Sequence, residues 1–338
     1  MRKPQIAFVT GGYSSEAVIS YKSAITIENH LDKSLFDIYR IDITPQEWFH
    51  PAADGRKIAV NRTDFSLPLE SGTVHFDAVF IGIHGTPGED GRLQGYFDLV
   101  GLPYTSCDAA TSAITFNKRY TVAVAAFSGI KVARSLHLFR HSPMTPDSIL
   151  SSLQLPVFVK PNNGGSSIGM SKVNAAGELA GALEKAFKED DQVLVEEFIS
   201  GREFTIGVYR RGGKVVTLPF TEILPENEFF DFAAKYEGKS KEVTPAECSA
   251  GIAEKVRRNA EAVYNIFNCS GIVRMDFIYN EEADEPFLLE INTVPGQSEA
   301  SIVPQQVRAM GLDLKQFYTE LVQEALSVKT RQPAVELL

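Results

Sequence analysis

Two neighbouring runs near the end of the chain carry acidic and amide side chains at positions that constrain the fold. The run Ile272–Ile278 alternates between apolar and polar residues, as in a strand with one buried face, and it contains Asp276. Glu290 and Asn292 are two residues apart in the next run, so they project from one face of a second strand. The two runs therefore predict adjacent strands that present oxygen ligands.

This set of side chains is typical of a metal site beside a nucleotide. Two carboxylates and an amide carbonyl, with room for waters and phosphate oxygens, suit Mg²⁺. Arg274 lies on the same face as Asp276 and would place a guanidinium beside the metal. The alternative is a polar strand edge with two solvated acids. That alternative accounts for Asp276 or Glu290 alone better than for the whole set, which ends in Asn-Thr-Val-Pro-Gly.

The composition excludes several classes of protein. The chain has 338 residues, of which 44% are apolar and 22% charged, as in globular proteins with about two or three domains. A net charge of −10 argues against broad nucleic-acid binding, although a few convergent cations can still hold ATP. No run reaches the roughly 18–20 apolar residues of a spanning helix, and the N-terminus is too brief for a signal peptide. We therefore expect a cytoplasmic protein without membrane association, its three scattered cysteines reduced and without a metal or disulfide role.

The pattern along the chain divides it into three predicted domains. Residues 1–116 alternate strand and helix signals and predict a small α/β layer with a largely parallel sheet. Residues 117–202 predict a helix followed by strands and a second helix. Residues 203–330 predict antiparallel strands, a helix, the two acidic strands and terminal helices. The polar segment 222–242 is long for a connection and predicts a loop that closes over a ligand.

Local signals also predict where individual elements begin. Ser14 or Ser15 is expected to cap the first helix, after a buried strand that ends in Gly-Gly. A strand is predicted over Ile168–Val173 and a helix over Pro245–Phe267. In a parallel sheet, ligands collect at the carboxyl ends of strands, and His84 lies at such an end.

A Gly/Ser-rich segment at 160–169 lies between two predicted strands. It lacks the order G-x-x-x-x-G-K-[ST], and no helix follows it directly, so it is not a P-loop. Glycines let a backbone approach a ligand, and their amides with serine hydroxyls can hold phosphate oxygens. Lys160, at the end of the preceding strand, would add positive charge. The alternative is a flexible hairpin tip.

The connector after the strand that ends at Glu197 is a second candidate nucleotide contact. Its backbone amides could meet the edge of a base, while Glu203 could bond to a ribose. Without context, a solvated acidic turn explains this connector better, and Lys118 on its helix is ambiguous by itself.

Taken together, these segments resemble the ATP-grasp superfamily and, within it, the D-alanine–D-alanine ligase family over roughly residues 5–325. The motifs that carry the resemblance are GGYSSE at 11–16, HG and GEDGRLQG within 84–95, KP and GSSIG within 160–169, FFDF and KY within 229–236, and the segment 274–296 with Ser301. The resemblance implies a three-domain architecture of α/β (α+β) class. In it an N-terminal parallel-sheet domain precedes two α+β lobes that sandwich ATP.

The resemblance implies a two-step ligation of two D-alanines for peptidoglycan precursor synthesis. The carboxylate of the first D-alanine attacks the γ-phosphate of ATP, and the amine of the second attacks the resulting D-alanyl phosphate. ATP is needed because a free carboxylate is a poor electrophile, whereas phosphate is a good leaving group. The resemblance also implies two Mg²⁺ ions, with Mn²⁺ able to substitute, and a homodimer.

The residues around the substrates take their roles from the resemblance by position. Glu16 would pair with the ammonium of the first D-alanine, and Ser166 and Tyr236 would bond to it and close the site. Arg274 and the Gly296 amide would stabilise the developing oxyanion. The remaining two positions are His84, beside the first substrate, and Ser301, at the carboxylate of the second.

The nucleotide and metal positions follow in the same way. The residues assigned to ATP are Lys118, Lys160, Ser166, Ser167, Glu196, Glu197, Phe198, Ile199, Glu203, Phe229, Lys235 and Leu289. Among them, Lys118 and Lys160 would contact the phosphates. The residues assigned to Mg²⁺ are Asp276, Glu290 and Asn292.

Alternatives remain open for several of these positions. His84 could cap a strand end, Glu16 could be an ordinary first-turn acid favoured by the helix dipole, and Tyr236 could face solvent. The chain departs from the usual pattern at Tyr13, in the stretch 17–19 and at 297–300, where an acid lies close to the serine of the second substrate site. These departures put substrate contacts in question.

Two further hypotheses compete with dipeptide ligation. One is a ligase of the same superfamily that uses D-lactate or another amino acid as its second substrate. The other is an ATP-binding protein without ligase activity. A protein of that kind should have lost metal ligands or Arg274, and this chain retains them.

Overall fold

The computed structural model describes residues 2–142, 144–164, 168–225 and 240–328. Five predicted site residues lie outside the described residues: Ser166, Ser167, Phe229, Lys235 and Tyr236. Most of the predicted closing loop, 226–239 within 222–242, also lies outside them.

The described elements alternate between strands and helices. The strands are β1 Gln5–Gly11, β2 Asp37–Ile43, β3 Trp48–Pro51, β4 Lys57–Ala59, β5 Leu67–Leu69, β6 Gly72–Val74, β7 Ala78–Ile81, β8 Ser135–Phe139, β9 Val157–Pro161, β10 Ser171–Val173, β11 Gln192–Glu197, β12 Arg202–Arg211, β13 Lys214–Thr217, β14 Thr221–Pro225, β15 Ser240–Val243, β16 Val273–Asn280 and β17 Glu285–Asn292. The helices are α1 Ala17–His30, α2 Arg92–Val100, α3 Ala109–Phe116, α4 Lys118–Phe127, α5 Pro146–Leu150, α6 Leu179–Glu189, α7 Ala250–Ile266, α8 Ile302–Ala309 and α9 Leu314–Ser327, and a 3₁₀ turn Ala176–Glu178 precedes α6. No helix in these ranges is long and apolar enough to cross a membrane.

The first sheet has the strand order β4-β3-β2-β1-β7. Its strands β2, β1 and β7 are parallel, as predicted, whereas β3 and β4 extend the sheet as antiparallel strands that the sequence did not predict. Phe8 and Phe80 pack on one side against α1 and against Tyr318 of α9, and Ile81 packs on the other side with Phe97 of α2. Because both faces are covered, β1 is almost continuously apolar.

The second sheet, β10-β9-β11-β8, is antiparallel and packs on α6 through one face. Val157 and Val193 contribute to this core with Leu183 of the helix. Since side chains alternate along a strand, Lys160 of β9 and Glu196 of β11 project from the opposite face. That face is turned toward the third sheet, with which it encloses a cavity.

The third sheet has the order β15-β14-β12-β16-β17, with β13 paired to β12. Helix α7 covers one face, where Val263 packs near Phe204 and Met275. In the antiparallel pair β16·β17, Arg274 lies opposite Asn292 and Asp276 lies opposite Glu290. The predicted adjacency of the two acidic strands is therefore confirmed, and the polar face is the one turned away from α7.

Three predicted boundaries were wrong. Helix α1 has Glu16 at its N-cap with no side-chain cap, because the Ser14 hydroxyl instead accepts the Glu16 amide at 3.3 Å and closes a turn before the helix. Helix α7 starts at Ala250 instead of Pro245, since the Ser249 hydroxyl caps it by accepting from the Ile252 amide. Strand β10 starts at Ser171 instead of Ile168.

The segment 222–242 was predicted as a loop, and its two ends are strands instead. β14 and β15 pair antiparallel at one edge of the third sheet, from Glu222 opposite Val243 to Pro225 opposite Ser240. The backbone groups of these polar residues are satisfied by the neighbouring strand, which sequence composition does not reveal. The segment therefore extends the sheet before it leaves the described ranges.

A pair of glycine substitutions tests how tightly the chain packs around the third sheet. Gly271 has φ of +65°, and a Cβ there would overlap the carbonyl oxygen of Thr105, so Gly271→Ala is expected to lower the free energy of unfolding by about 2–4 kcal/mol. Gly181 lies inside α6, and a Cβ added there would meet nothing within 4 Å. Gly181→Ala is therefore expected to raise the free energy of unfolding by about 0.5–1 kcal/mol. Urea denaturation followed by circular dichroism measures both, and equal effects would contradict this packing.

Candidate active site

Two adjoining cavities bring the predicted site residues together. The first, of about 410 Å³, is lined by the loops after β1 and β7, the end of β17 and the start of α8. The second, of about 330 Å³, lies between the second and third sheets. Lys118, Gly164, Leu289 and Glu290 line both cavities, so the two spaces meet at these residues.

Every predicted site residue within the described ranges lines one of these cavities. The first cavity contains Glu16, His84, Lys118, Arg274, Leu289, Glu290, Asn292, Gly296 and Ser301. The second contains Lys118, Lys160, Glu196, Glu197, Phe198, Ile199, Glu203, Asp276, Leu289 and Glu290. The residues assigned to substrates thus separate from those assigned to the nucleotide, with Glu290 at the junction.

Arg274 and two acids form the charged centre of this junction. The Arg274 guanidinium donates to Asp276 through Nε at 3.0 Å and through Nη2 at 2.9 Å, and the same Nη2 lies 3.6 Å from Glu290 Oε1. The Thr205 hydroxyl also donates to Asp276. Only about a tenth of the Asp276 side chain is exposed, so these contacts compensate a carboxylate that is largely removed from water.

The same residues fit a divalent cation. A guanidinium between two carboxylates shows that this position stabilises positive charge, and Asn292 adds an amide that lies 3.5 Å from Glu290. Such hard oxygen donors are the ligands that Mg²⁺ prefers. Within the described ranges there is no cluster of three or more His, Cys, Asp or Glu that could hold a metal, so the fit depends on the Asn292 carbonyl together with the two acids.

Two lysines lie along the second cavity, each already positioned by the protein. Lys160 Nζ donates to Glu196 at 2.6 Å, and both side chains are about nine-tenths buried. Lys118 begins α4, and its ammonium donates to the Gly164 carbonyl at 2.6 Å in the Gly/Ser-rich segment. Because an ammonium has three donors, each lysine can keep this bond and still reach a phosphate oxygen.

The connector after β11 forms one wall of the second cavity. The Glu197 amide donates to the Arg134 carbonyl and the Phe198 amide to the Pro156 carbonyl, so both are used inside the protein. Of this connector, the Ile199 backbone is therefore better placed to meet a ligand. The Lys172 ammonium lies over the Phe198 ring, with Nζ 4.5 Å from the ring centroid. The ring gives this wall an apolar surface.

Glu89 is a partly buried acid of the first cavity to which sequence reasoning gave no role. Its carboxyl group accepts the Gly85 amide at 2.6 Å and the Val294 amide at 3.4 Å, so it joins the loop after β7 to the end of β17. Burial, and then the nearby Glu16 carboxylate, raise the pKa of Glu89 to about 8. The motif Gly-Glu-Asp-Gly marked this position, but no local pattern indicates which residues surround it.

Gly85 explains why this acid pair can form. Its φ is +67°, and a Cβ there would overlap the Glu16 carboxylate. Glycine therefore lets the loop after β7 approach the first turn of α1 closely. Two carboxyl groups close together disfavour a charge on both, which adds to burial in raising the pKa of Glu89.

His84 is buried beside the acid pair. Its Nε2 lies 3.0 Å from the Ser23 hydroxyl, and its backbone amide donates to Ser20 at 2.9 Å. Burial, together with the Arg274 charge, lowers the pKa of His84 to about 4. The imidazole is therefore neutral at physiological pH and acts as a hydrogen-bonding group without a charge.

This burial predicts an acid-sensitive contribution to stability. Because the pKa of His84 is lower in the folded protein than in the unfolded chain, protons favour unfolding, and stability is lost as the pH falls from about 6.5 to about 4. We expect His84→Gln to abolish up to about 3 kcal/mol of this loss. Urea denaturation at pH 7 and pH 4.5 measures the free energy of unfolding of the wild type, of His84→Gln and of the surface variant His141→Gln as control. An identical drop in this free energy between the two pH values in all three proteins would contradict the prediction.

Ser301 lies where α8 begins, on the wall of the first cavity. Its hydroxyl is 2.7 Å from that of Ser298 and accepts the Ser298 amide at 3.1 Å, so it does not cap its own helix. A Cβ on Gly296 would come within 2.8 Å of the Ser301 hydroxyl, which accounts for glycine there. The Ile302 and Val303 amides, in the first turn of the helix, have no partner within it.

Two of the departures from the usual pattern point away from the cavities. The Tyr13 hydroxyl accepts from Trp48 Nε1 at 2.8 Å, which holds the ring against the first sheet. Glu299 pairs with Arg308 of α8 and is mostly exposed. Neither Tyr13 nor Glu299 lines either cavity, whereas Ile19 lines the first.

Comparison with known proteins agrees with this arrangement. The family described as "D-ala D-ala ligase N-terminus" matches residues 5–107, and "D-ala D-ala ligase C-terminus" matches residues 117–323. The D-alanine–D-alanine ligase of Parabacteroides distasonis is 45% identical over 96% of this chain and 98% of its own length. That of Phocaeicola vulgatus is 44% identical over 95% of this chain and 99% of its own length.

Solved structures of such enzymes have the same fold. VanG D-Ala:D-Ser ligase from Enterococcus faecalis has a TM-score of 0.85 and 31% identity, covering 95% of this chain and 99% of its own. D-alanyl-alanine synthetase A from Vibrio cholerae has a TM-score of 0.85 and 29% identity, and the match covers 97% of this chain and 99% of that protein. A D-alanine–D-alanine ligase from Bacillus anthracis complexed with ATP has a TM-score of 0.77 and 26% identity, and the match covers 98% of this chain and 100% of that protein. The chain therefore belongs to the D-alanine–D-alanine ligase family and has its ATP-grasp fold.

Proposed function

We propose that the protein is an ATP-dependent carboxylate–amine ligase that joins two D-alanines into D-alanyl-D-alanine through a D-alanyl phosphate. The observation that carries this proposal is that Arg274 lines the first cavity and lies 3.6 Å from Glu290, which lines both cavities. A guanidinium there can bind both the γ-phosphate that is transferred and the carboxylate that receives it. The full-length similarity to enzymes named for this activity supports the same reaction.

The nucleotide is assigned to the cavity between the second and third sheets. Lys118 and Lys160 would bind its phosphates, Glu203 its ribose, and the connector through Ile199 its base. The two acids of the junction and Asn292 would hold Mg²⁺, and Mn²⁺ could replace it because both cations accept oxygen donors. A cation held by these residues would neutralise phosphate charge and so make the γ-phosphorus easier to attack.

The substrates are assigned to the first cavity. Glu16, beside Glu89, would bind the ammonium of the first D-alanine, with neutral His84 as a hydrogen-bonding neighbour. The first-turn amides of α8 and the Ser301 hydroxyl would bind the carboxylate of the second D-alanine. Arg274 and the Gly296 amide would stabilise the oxyanion that develops when the amine attacks the acyl phosphate.

The wider biological setting is part of the same proposal. A dipeptide of D-alanine is a building block of peptidoglycan, so the reaction would serve cell-wall synthesis and cell shape from the cytoplasm. The three larger of the four described sheets occupy successive stretches of chain, which supports a division into domains at 1–116, 117–202 and 203–330. We expect a homodimer, in keeping with the family.

The experiment that tests the function measures phosphate release from ATP and Mg²⁺, with and without D-alanine, alongside chromatography of the product. We expect release that requires D-alanine and forms D-alanyl-D-alanine. Because one relative is named a D-Ala:D-Ser ligase, D-serine is included as a competitor. ATP binding without any D-alanine-dependent release would contradict the proposal, and predominant capture of D-serine or D-lactate would change the second substrate.

A further inference from the structure

We infer that Glu242 makes the second-substrate site select an α-amino acid over an α-hydroxy acid. The inference rests on the proposed function, because it concerns the acceptor of the same reaction. Glu242 belongs to β15, outside all the motifs of the resemblance, and it lines the cavity that contains Ser301 and Arg274.

The sheet register places Glu242 on the face that carries the reaction centre. Glu242 lies opposite Ile223, Ile223 opposite Glu203, and Glu203 opposite Ile278. Ile278 is two residues beyond Asp276 on β16, so all of these side chains share one face. The edge strand β15 thereby brings a carboxylate to a site built mainly by β16, β17 and α8.

The neighbouring helix α8 orients this carboxylate. Gln305 of α8 donates through Nε2 to Glu242 at 2.8 Å and to the Ala300 carbonyl at 2.9 Å. Helix α8 is the one whose first turn carries the amides of Ile302 and Val303 at its positive end, directly after Ser301. The carboxylate and the positive helix end therefore face one cavity from a fixed mutual position.

This pair of charges complements a zwitterion. An α-amino acid carries a carboxylate, which suits the positive end of α8, and an ammonium, which suits Glu242. An α-hydroxy acid has the same carboxylate and no cation, so its binding would remove Glu242 from water without an ionic partner. Sites that hold a buried polar partner reject analogues that lack it more strongly than sites that only fit by shape. Burial raises the pKa of Glu242, while the Gln305 hydrogen bond and the Arg274 charge oppose that shift.

The test is a competition between D-alanine and D-lactate for the second site. Chromatography measures the ratio of dipeptide to ester formed by the wild type, Glu242→Gln and Gln305→Met. Glu242→Gln keeps an oxygen acceptor for Gln305 but removes the charge, so we expect the dipeptide-to-ester ratio to fall about tenfold or more, with an unchanged KM for ATP. Gln305→Met removes the hydrogen bond but keeps the charge, so its ratio should stay within about threefold of the wild type.

The dipeptide-to-ester ratio does not depend on how much of each variant folds. A further variant, Glu242→Asp, keeps the charge and should keep the selectivity. An unchanged ratio in Glu242→Gln, with dipeptide formed normally by the wild type, would overturn this inference and leave the proposed function intact. An equal fall in Glu242→Gln and Glu242→Asp would also overturn it, because shape and not charge would then decide. A wild type that releases phosphate without dipeptide would overturn the proposed function and this inference together.

Discussion

Replacing Arg274 by methionine is expected to lower D-alanine-dependent phosphate release by about 10²–10³-fold, while the fold is retained. The guanidinium lines the first cavity next to Glu290 at the junction, and its loss removes the group that would stabilise charge on both the phosphate and the oxyanion. It also leaves the Asp276 carboxylate with Thr205 as a remaining hydrogen-bond donor. The measurement is coupled phosphate release at saturating ATP and D-alanine.

The first sheet offers a matched control for this variant. Arg40 pairs with Asp42 two residues along β2, as Arg274 pairs with Asp276 along β16, through Nε at 2.7 Å and Nη2 at 3.3 Å. Arg40 lines neither cavity. Arg40→Met should therefore cost some stability and leave turnover near the wild-type rate, and equal activity in the two variants would refute the role of Arg274.

Replacing Glu290 by glutamine is expected to reduce turnover by about 10²-fold or more and to raise the Mg²⁺ concentration required for half-maximal rate. Glu290 lines both cavities and lies opposite Asp276, so it is the carboxylate best placed to share a cation with the nucleotide phosphates. Glutamine keeps the size of the side chain and removes its charge. Initial rates over a Mg²⁺ titration at fixed ATP measure the effect.

The same strand supplies the control. Glu285 begins β17, is about half exposed and pairs with Lys131 away from the cavities. Glu285→Gln should leave both the rate and the Mg²⁺ titration unchanged. A Glu290→Gln protein with a normal rate and a normal Mg²⁺ titration would show that the cation is held elsewhere.

The buried charges of the site could not be predicted from sequence. Lys160 was assigned to the phosphates and Glu196 separately to ATP, yet they form one buried ion pair across two strands. Glu89 was recognised only as part of a motif, and its high pKa arises from burial and from Glu16, which is distant in the chain. Such effects depend on which groups pack together, and local patterns carry no information about that.

The boundaries that were wrong have a similar cause. Ser14 has the residue type of a helix cap, but the tight turn it closes comes before the helix and is set by the neighbouring loop, where the Tyr13 amide bonds to Thr86. The polar ends of segment 222–242 became strands because an edge of the third sheet was there to pair with them. Tertiary contacts outweighed the local preference in both places.

One face of β16 and β17 carries Arg274, Asp276, Glu290 and Asn292, and this could be predicted from the sequence because side chains alternate with a period of two in any strand. The sequence also determined membership of the family, since the motifs are local and occur in order. The packed fold was needed to show that the two cavities meet at Glu290, that burial and Glu16 raise the pKa of Glu89, and that Glu242 lines the first cavity. These properties arise from burial and charge between residues far apart in the chain, and only the packed fold brings those residues together.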